Sequence, residues 1–162
     1  MFKKPIKKTS TSFIEMENYL EIKINWSQKI NLDNIIDLEN FQLNSKNSLL
    51  YKIYGDSLLY GRDVLLYIGI TVNIRNRFNA HLKSTFGPVN NLKVSIGEIL
   101  NQPKELNLEI PESILIANHK PAMNKEFIHE ISPSANKTKI IILNHGFIGM
   151  LQSCCTNYWW LK

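Results

Sequence analysis

The chain is poor in cysteine and has no long apolar run. Its only cysteines are Cys154 and Cys155, and adjacent cysteines neither form an ordinary structural disulfide nor supply enough ligands for a zinc site. No segment has eighteen consecutive apolar residues, which argues against a transmembrane helix. The lysine-rich start lacks the apolar core of a secretory signal. We therefore expect a cytoplasmic protein with no membrane partner.

The net charge of +5 is concentrated at one end of the chain. Four lysines supply most of it within a segment that has no acid: Lys3, Lys4, Lys7 and Lys8. Of 19 bases and 14 acids, the other fifteen bases leave only +1. We predict that residues 1–12 form a basic flexible tail, which could bind phosphates through counterion release or could serve only for solubility. Charge alone therefore does not establish nucleic-acid binding.

Composition and periodicity indicate one globular domain that contains both helices and strands. A hydrophobic fraction of 44% with 20% charged residues is ordinary for such a domain. Apolar periodicity predicts strands at 19–24, 48–54, 64–70, 93–100 and 139–143, and helices at 32–41, from 74 to about 84, and at about 111–119.

The most informative pattern is a strand that leads into a helix. The run from Val64 to Ile70 is β-branched and aliphatic, and its single glycine, Gly69, suggests a point of close approach. After the capping residue Asn73, apolar residues recur every four positions, as do Arg77 and His81. A guanidinium beside an imidazole suits a bound phosphate. The alternative is an amphipathic helix with two solvated polar residues.

This segment resembles the GIY-YIG endonuclease superfamily. The second signature of the superfamily is matched by Tyr67-Ile68-Gly69, followed by Arg77 and then His81. Upstream, Leu49-Leu50-Tyr51-Lys52-Ile53-Tyr54 takes the place of the first strand of the family, without the usual Gly-Ile. Tyr51 is the preferred match for the first tyrosine, and Tyr54 is the alternative.

A second segment extends the resemblance downstream. From Glu112 to Asn124 the sequence is similar to the acidic helix of the family, in which a glutamate opens an apolar helix that ends at a Lys-Pro turn and an asparagine. The resemblance covers residues 48–125. It implies an α/β (α+β) fold with a small three-stranded mixed or antiparallel sheet flanked by helices. We expect an N-terminal extension at 13–47, and a C-terminal extension at 126–162 that packs on the core.

The resemblance also implies a function, namely a divalent-metal-dependent endonuclease that hydrolyses phosphodiester bonds in DNA. The implied catalytic residues are Tyr51, Tyr67, Arg77, His81, Glu112 and Asn124. The expected DNA-binding bases are Lys3, Lys4, Lys7, Lys8, Arg62, Arg75, Arg77 and Lys83. A homodimer would allow both strands to be cut. Two alternatives stay open: a catalytically degenerate nucleic-acid-binding module of the same fold, and an interaction protein with an aromatic C-terminus.

The family mechanism assigns a role to each of these side chains. Tyr51, with Tyr67 beside it, would accept the proton of the attacking water or position that water. Arg77 would bind the scissile phosphate, and His81 would assist by hydrogen bonding. Glu112 would bind one Mg²⁺ or Mn²⁺ ion. Asn124 would anchor the site, although a purely structural role is the alternative.

Overall fold

The computed structural model describes residues 19–32, 48–101 and 106–161, without the side chains of Arg75 and Leu82. The predicted basic tail, with Lys3, Lys4, Lys7 and Lys8, lies outside the described residues, as does nearly all of the predicted helix at 32–41.

The described residues form seven strands, two α-helices and two short 3₁₀ helices. The strands are β1 (Tyr19–Trp26), β2 (Ile30–Asn31), β3 (Leu49–Ser57), β4 (Gly61–Thr71), β5 (Lys93–Ile99), β6 (Lys139–Gly146) and β7 (Cys154–Thr156). The α-helices are α1 (Ile74–Lys83) and α2 (Glu109–His119), and the 3₁₀ helices are Pro133–Asn136 and Tyr158–Trp160. Within these residues, no helix combines the length and apolar character needed to cross a membrane.

The prediction of an α/β (α+β) fold with a small three-stranded sheet flanked by helices is wrong, because the described residues are mostly sheet and include only two α-helices. All seven strands belong to one mixed sheet in the order β4-β3-β5-β1-β6-β7, with β2 beside β5, and this sheet is curled into a half-barrel. β1 pairs antiparallel with β5 and parallel with β6. The expected trio β4, β3 and β5 is therefore one end of a larger sheet. It continues because the alternating β1 and the apolar β6 supply further strands to the side of β5 that faces away from β3.

The sheet has a hydrophobic core on each face. On one face, α2 contributes a continuous buried run, Ile114 to Ala117, to a core shared with β1, β3, β4 and β6. On the other face, Ile74 and Phe78 of α1 pack against β3, β4 and β5. β4 lies at the end of the sheet. Its outer edge therefore lies between the two helix-covered faces, and this edge positions the candidate site.

Candidate active site

A β-bulge brings Tyr51 and Tyr67 onto the same face of the β3–β4 hairpin. The register of the two strands slips by one residue next to Tyr54, which leaves Leu66 as an extra residue in β4. Such a bulge redirects the side chains that follow it and is common beside active sites. The rings of Tyr51 and Tyr67 stack with their centroids 6.0 Å apart.

Gly69 is required by the close approach of these two rings. A Cβ atom at this position would lie 2.7 Å from the Tyr51 oxygen and 2.6 Å from Cε1 of Tyr67. Both distances are shorter than real contacts to Cβ, so any larger residue would displace a ring. The predicted close approach at Gly69 is therefore confirmed.

Helix α1 begins after its cap and directs two polar side chains toward the tyrosines. The Asn73 side chain accepts a hydrogen bond from the backbone N–H of Asn76, which stabilises the first turn. Arg77 donates from Nε to the Tyr51 oxygen at 3.3 Å and from Nη2 to the Tyr67 oxygen at 3.4 Å. One turn later, Nε2 of His81 lies 3.1 Å from the Tyr51 oxygen.

Burial determines the protonation of this cluster. Burial and the charge of Arg77 lower the pKa of His81, so the imidazole is neutral at pH 7 and has one ring nitrogen that can accept a proton. In the tautomer that carries its hydrogen on Nε2, that N–H donates to the Tyr51 oxygen and Nδ1 is the acceptor. Burial raises the pKa of Tyr51 above its usual value near 10, despite the hydrogen bond from Arg77. Tyr51 is therefore a neutral phenol at pH 7.

Glu112 and Asn124 are held by the outer edge of β4. Burial raises the pKa of the Glu112 carboxyl, and the nearby backbone N–H of Ile70 lowers it by less. Two residues away on the same edge, the Asn124 side chain accepts from the N–H of Ile68 at 3.0 Å and donates to its C=O at 2.9 Å. The N–H of Met123 donates to the C=O of Leu66, the next residue whose backbone faces outward on this edge, at 2.9 Å. An edge that would otherwise expose unpaired backbone groups thus sets the position of both side chains.

These elements surround one cleft of about 610 Å³. Its lining includes the predicted residues Tyr67, Arg77, His81, Glu112 and Asn124. Tyr51 is fully buried behind them and touches the cleft residues Arg77 and His81. Five of the six predicted catalytic residues therefore face one cavity, and the sixth supports two of them.

The structure also places Tyr51 and Tyr54, the two candidates for the first tyrosine of the family, on different faces of the sheet. Tyr51 belongs to the core under α1, whereas Tyr54 is buried in the core on the opposite face. A Cβ atom at Gly149 would collide with the Tyr54 oxygen, and Nζ of Lys29 lies 4.0 Å from the centre of the Tyr54 ring. Tyr54 is thus packed away from the cleft.

Of the predicted basic residues whose side chains the structure describes, Arg77 lies at the cleft, whereas Arg62 and Lys83 are not among its lining residues. Arg62 is exposed five residues before Tyr67 along β4, which corresponds to about 17 Å of strand. Lys83 is exposed at the end of α1, and the Arg75 side chain is not described.

Sequence reasoning missed the wall of the cleft that follows Asn124. Lys125, Glu126 and Phe127 line it from an irregular segment, in which Phe127 has a φ of 58°. A bulky residue with positive φ is uncommon and is often found at functional sites. The sequence feature that could have indicated this wall is Lys125, a basic residue directly after the matched Asn124.

The residues present fit a single hard cation better than a metal cage. In the described part of the chain, no group of three or more His, Cys, Asp or Glu side chains could hold a metal ion. Mg²⁺ does not need such a group, since it keeps several waters and binds through one or two carboxylates together with substrate phosphates. Burial raises the pKa of Glu112 to about 7, so a cation would compete with a proton for this carboxylate.

Comparisons with protein-family models, with characterised proteins and with solved structures gave no match for this chain. The family resemblance therefore rests on the tyrosine, arginine, histidine, glutamate and asparagine positions themselves.

Proposed function

We propose that the protein is a divalent-metal-dependent endonuclease of GIY-YIG type that hydrolyses phosphodiester bonds in DNA. One observation carries the proposal: Tyr67, Arg77 and His81 face the same cleft as Glu112, which lies more than thirty residues further along the chain. A packed helix needs none of these polar groups. Hydrogen bonds that meet at Tyr51 and Arg77 link Tyr67, Arg77 and His81 into one cluster, and Glu112 lies across the same cleft. Location in the cytoplasm and assembly as a homodimer stay predictions from the sequence.

Arg77 is the phosphate ligand in this proposal. Its hydrogen bond to Tyr51 raises the pKa of the guanidinium, which keeps it cationic, and it lies at the cleft wall with donors in a fixed fork. A scissile phosphate bound there gains charge in the transition state, and the two tyrosine contacts hold the guanidinium in place.

His81 is the group best suited to receive the proton of the attacking water. It lines the cleft and its pKa is lowered, so it is unprotonated at neutral pH. As the oxygen of water bonds to phosphorus, the bond to the leaving sugar oxygen breaks. The proton of the water passes to Nδ1 of the imidazole, whose Nε2–H donates to Tyr51, and the leaving oxygen takes a proton from solvent. Tyr67 orients the water, whereas the buried, neutral Tyr51 positions His81 and Arg77.

Glu112 would hold the divalent ion. When bound, Mg²⁺ or Mn²⁺ supplies Lewis-acid stabilisation of the phosphate charge. The Ile70 N–H stabilises the charged form of the carboxylate, which keeps lone pairs for a ligand. Asn124 contributes by holding β4 rather than by touching the substrate, because both ends of its amide are bonded to Ile68.

The alternative is a catalytically degenerate nucleic-acid-binding module. It is favoured by the complete burial of Tyr51 and by Leu49-Leu50, which stand where the family has Gly-Ile.

The test separates cleavage from binding. The purified protein is incubated with supercoiled plasmid and with single-stranded and branched DNA, in Mg²⁺, Mn²⁺ or a chelator, and the products and the binding affinity are both measured. The proposal expects metal-dependent nicking that the chelator abolishes. Salt-dependent binding without cleavage of any substrate would reject the nuclease and leave the binding module.

A further inference from the structure

A second cavity lies along the same edge of β4. It has a volume of about 340 Å³, at the small end of the range for small-molecule sites. Its walls are mainly apolar and include Val64, Leu65, Pro121, Ala122 and Met150. Exposed Tyr60, at the tip of the β3–β4 hairpin, and exposed Lys120, at the end of α2, add a ring and a positive charge.

The residues that line this cavity are close in sequence to residues that line the candidate active site. Pro121 and Ala122 line the second cavity, and the next two residues, Met123 and Asn124, line the cleft. On β4, Val64 of the cavity is three residues from Tyr67 of the cleft, a separation of about 10 Å at the usual strand rise. That length matches about three nucleotides of a stacked strand at ~3.4 Å each.

The chemistry of the lining suits a nucleobase next to a phosphate. A flat heterocycle can stack on the Tyr60 ring and fill the apolar walls, while the Lys120 charge faces the backbone. No carboxylate of the described residues lines the cavity to repel a phosphate. The remaining polar ring, His119, is already engaged: Nδ1 lies 2.8 Å from the Leu115 oxygen, and Nε2 accepts from the N–H of Gln152 at 2.8 Å.

We propose that this cavity receives one unstacked base of the strand whose scissile phosphate occupies the cleft, about three nucleotides from that phosphate. The inference rests on the proposed function, because that function supplies the phosphate site. Since the ring nitrogens of His119 are already bonded, the cavity recognises shape and stacking rather than a hydrogen-bonding edge, and it accepts any of the four bases.

The experiment uses 2-aminopurine, whose emission rises when it is unstacked. Wild-type cleavage products first define the cut position, or the oligonucleotide is scanned throughout if no cut occurs. The full chain carrying Glu112→Gln, which keeps DNA intact, is then titrated onto oligonucleotides with 2-aminopurine at each of the flanking positions. Affinity is measured in parallel by anisotropy of a terminal dye.

Two cavity variants and one matched control make the test specific. Ala122→Trp fills the cavity and Tyr60→Ala removes the ring. Leu59→Ala removes another exposed apolar side chain, from the same turn but outside the cavity lining. We expect raised emission at one position, abolished by Ala122→Trp. For Tyr60→Ala we expect a loss of affinity of about 5- to 20-fold, with no change for Leu59→Ala.

The outcomes separate this inference from the proposed function. Binding with no raised emission at any position overturns the base site and leaves the cleft intact. Raised emission that survives both cavity variants, or that Leu59→Ala also removes, overturns it as well. Absence of binding by anisotropy rejects the cleft and the base site together. Binding with cavity-dependent emission but without cleavage supports the base site in a protein that only binds.

Discussion

The hydroxyl oxygen of Tyr51 lies 3.1 Å from Nε2 of His81 and also accepts a hydrogen bond from Nε of Arg77 at 3.3 Å. The phenol therefore joins the two residues that approach the substrate, although it is itself fully buried. This relationship assigns Tyr51 a positioning role. Tyr54, on the other face of β3, should have no such role.

Replacing Tyr51 by phenylalanine should impair cleavage, whereas the same change at Tyr54 should not. Loss of the hydroxyl frees Arg77 and His81 to move, and misplacement of such groups by about 1 Å costs on the order of 10- to 100-fold in rate. Tyr54→Phe removes a hydroxyl from the same strand but from the opposite core, so its rate should stay within about 2-fold of wild type. Single-turnover cleavage rates of the two variants make the comparison, and equal losses would refute the positioning role.

Gly69→Ala should damage the site more than the fold. The new methyl group would press on the Tyr51 and Tyr67 rings at 2.6–2.8 Å, and overpacking of this kind costs about 1–3 kcal/mol. Gly97→Ala is the control, because its methyl group would meet Trp26 at 2.7 Å, away from the cleft. Stability by denaturant unfolding should fall in both variants, and cleavage at a permissive temperature should fall only in Gly69→Ala. Retained activity in Gly69→Ala would contradict the close approach.

The acid limb of the pH–rate profile should depend on metal concentration. Burial raises the pKa of Glu112 to about 7, so at limiting metal the rate should fall as pH drops below about 7. Saturating metal competes with the proton and should move the midpoint to lower pH, until protonation of His81, whose pKa lies below its usual value, becomes limiting. A midpoint that ignores the metal concentration would argue against Glu112 as the ligand.

Glu112 should also make the metal-free protein less stable as pH rises. A carboxyl with a raised pKa in the folded state contributes stability below its unfolded pKa, and that contribution is lost as pH rises through about 7. Glu112→Gln removes this dependence, so the variant should gain stability over wild type of the order of 1–3 kcal/mol at pH 8 relative to pH 4. Denaturant unfolding in a chelator measures the difference. Glu109→Gln, in the same helical turn but outside the cleft lining, should not reproduce it.

The two helices that carry the site could be predicted from the sequence, because signals within each segment, such as a capping residue and apolar spacing, determine them. The capping residue Asn73 and the four-residue spacing of Ile74, Phe78 and Leu82 define α1 within a dozen positions, and α1 is found at Ile74–Lys83. The helix of Glu112 ends at His119 as predicted, although it begins two residues before Pro111.

The full sheet could not be predicted in this way, because its pairing is not local. β1 pairs with β6, which lies about 120 residues further along the chain, and each strand alone only signals a buried or half-buried strand. The bulge at Leu66 leaves no clear mark in composition, yet it decides which face Tyr67 occupies. Lys125 and Phe127 lie in a segment without periodicity, so nothing short of the fold places them at the cleft.

The most direct test of the account compares plasmid nicking by wild type, Glu112→Gln and Glu109→Gln, with oligonucleotide binding measured for each. The account predicts metal-dependent nicking by wild type and Glu109→Gln at rates within about 2-fold, and a loss of about 100-fold or more in Glu112→Gln, with binding retained in all three. Nicking by Glu112→Gln at the wild-type rate, or nicking that persists in a chelator, would contradict a metal-dependent site built on Glu112.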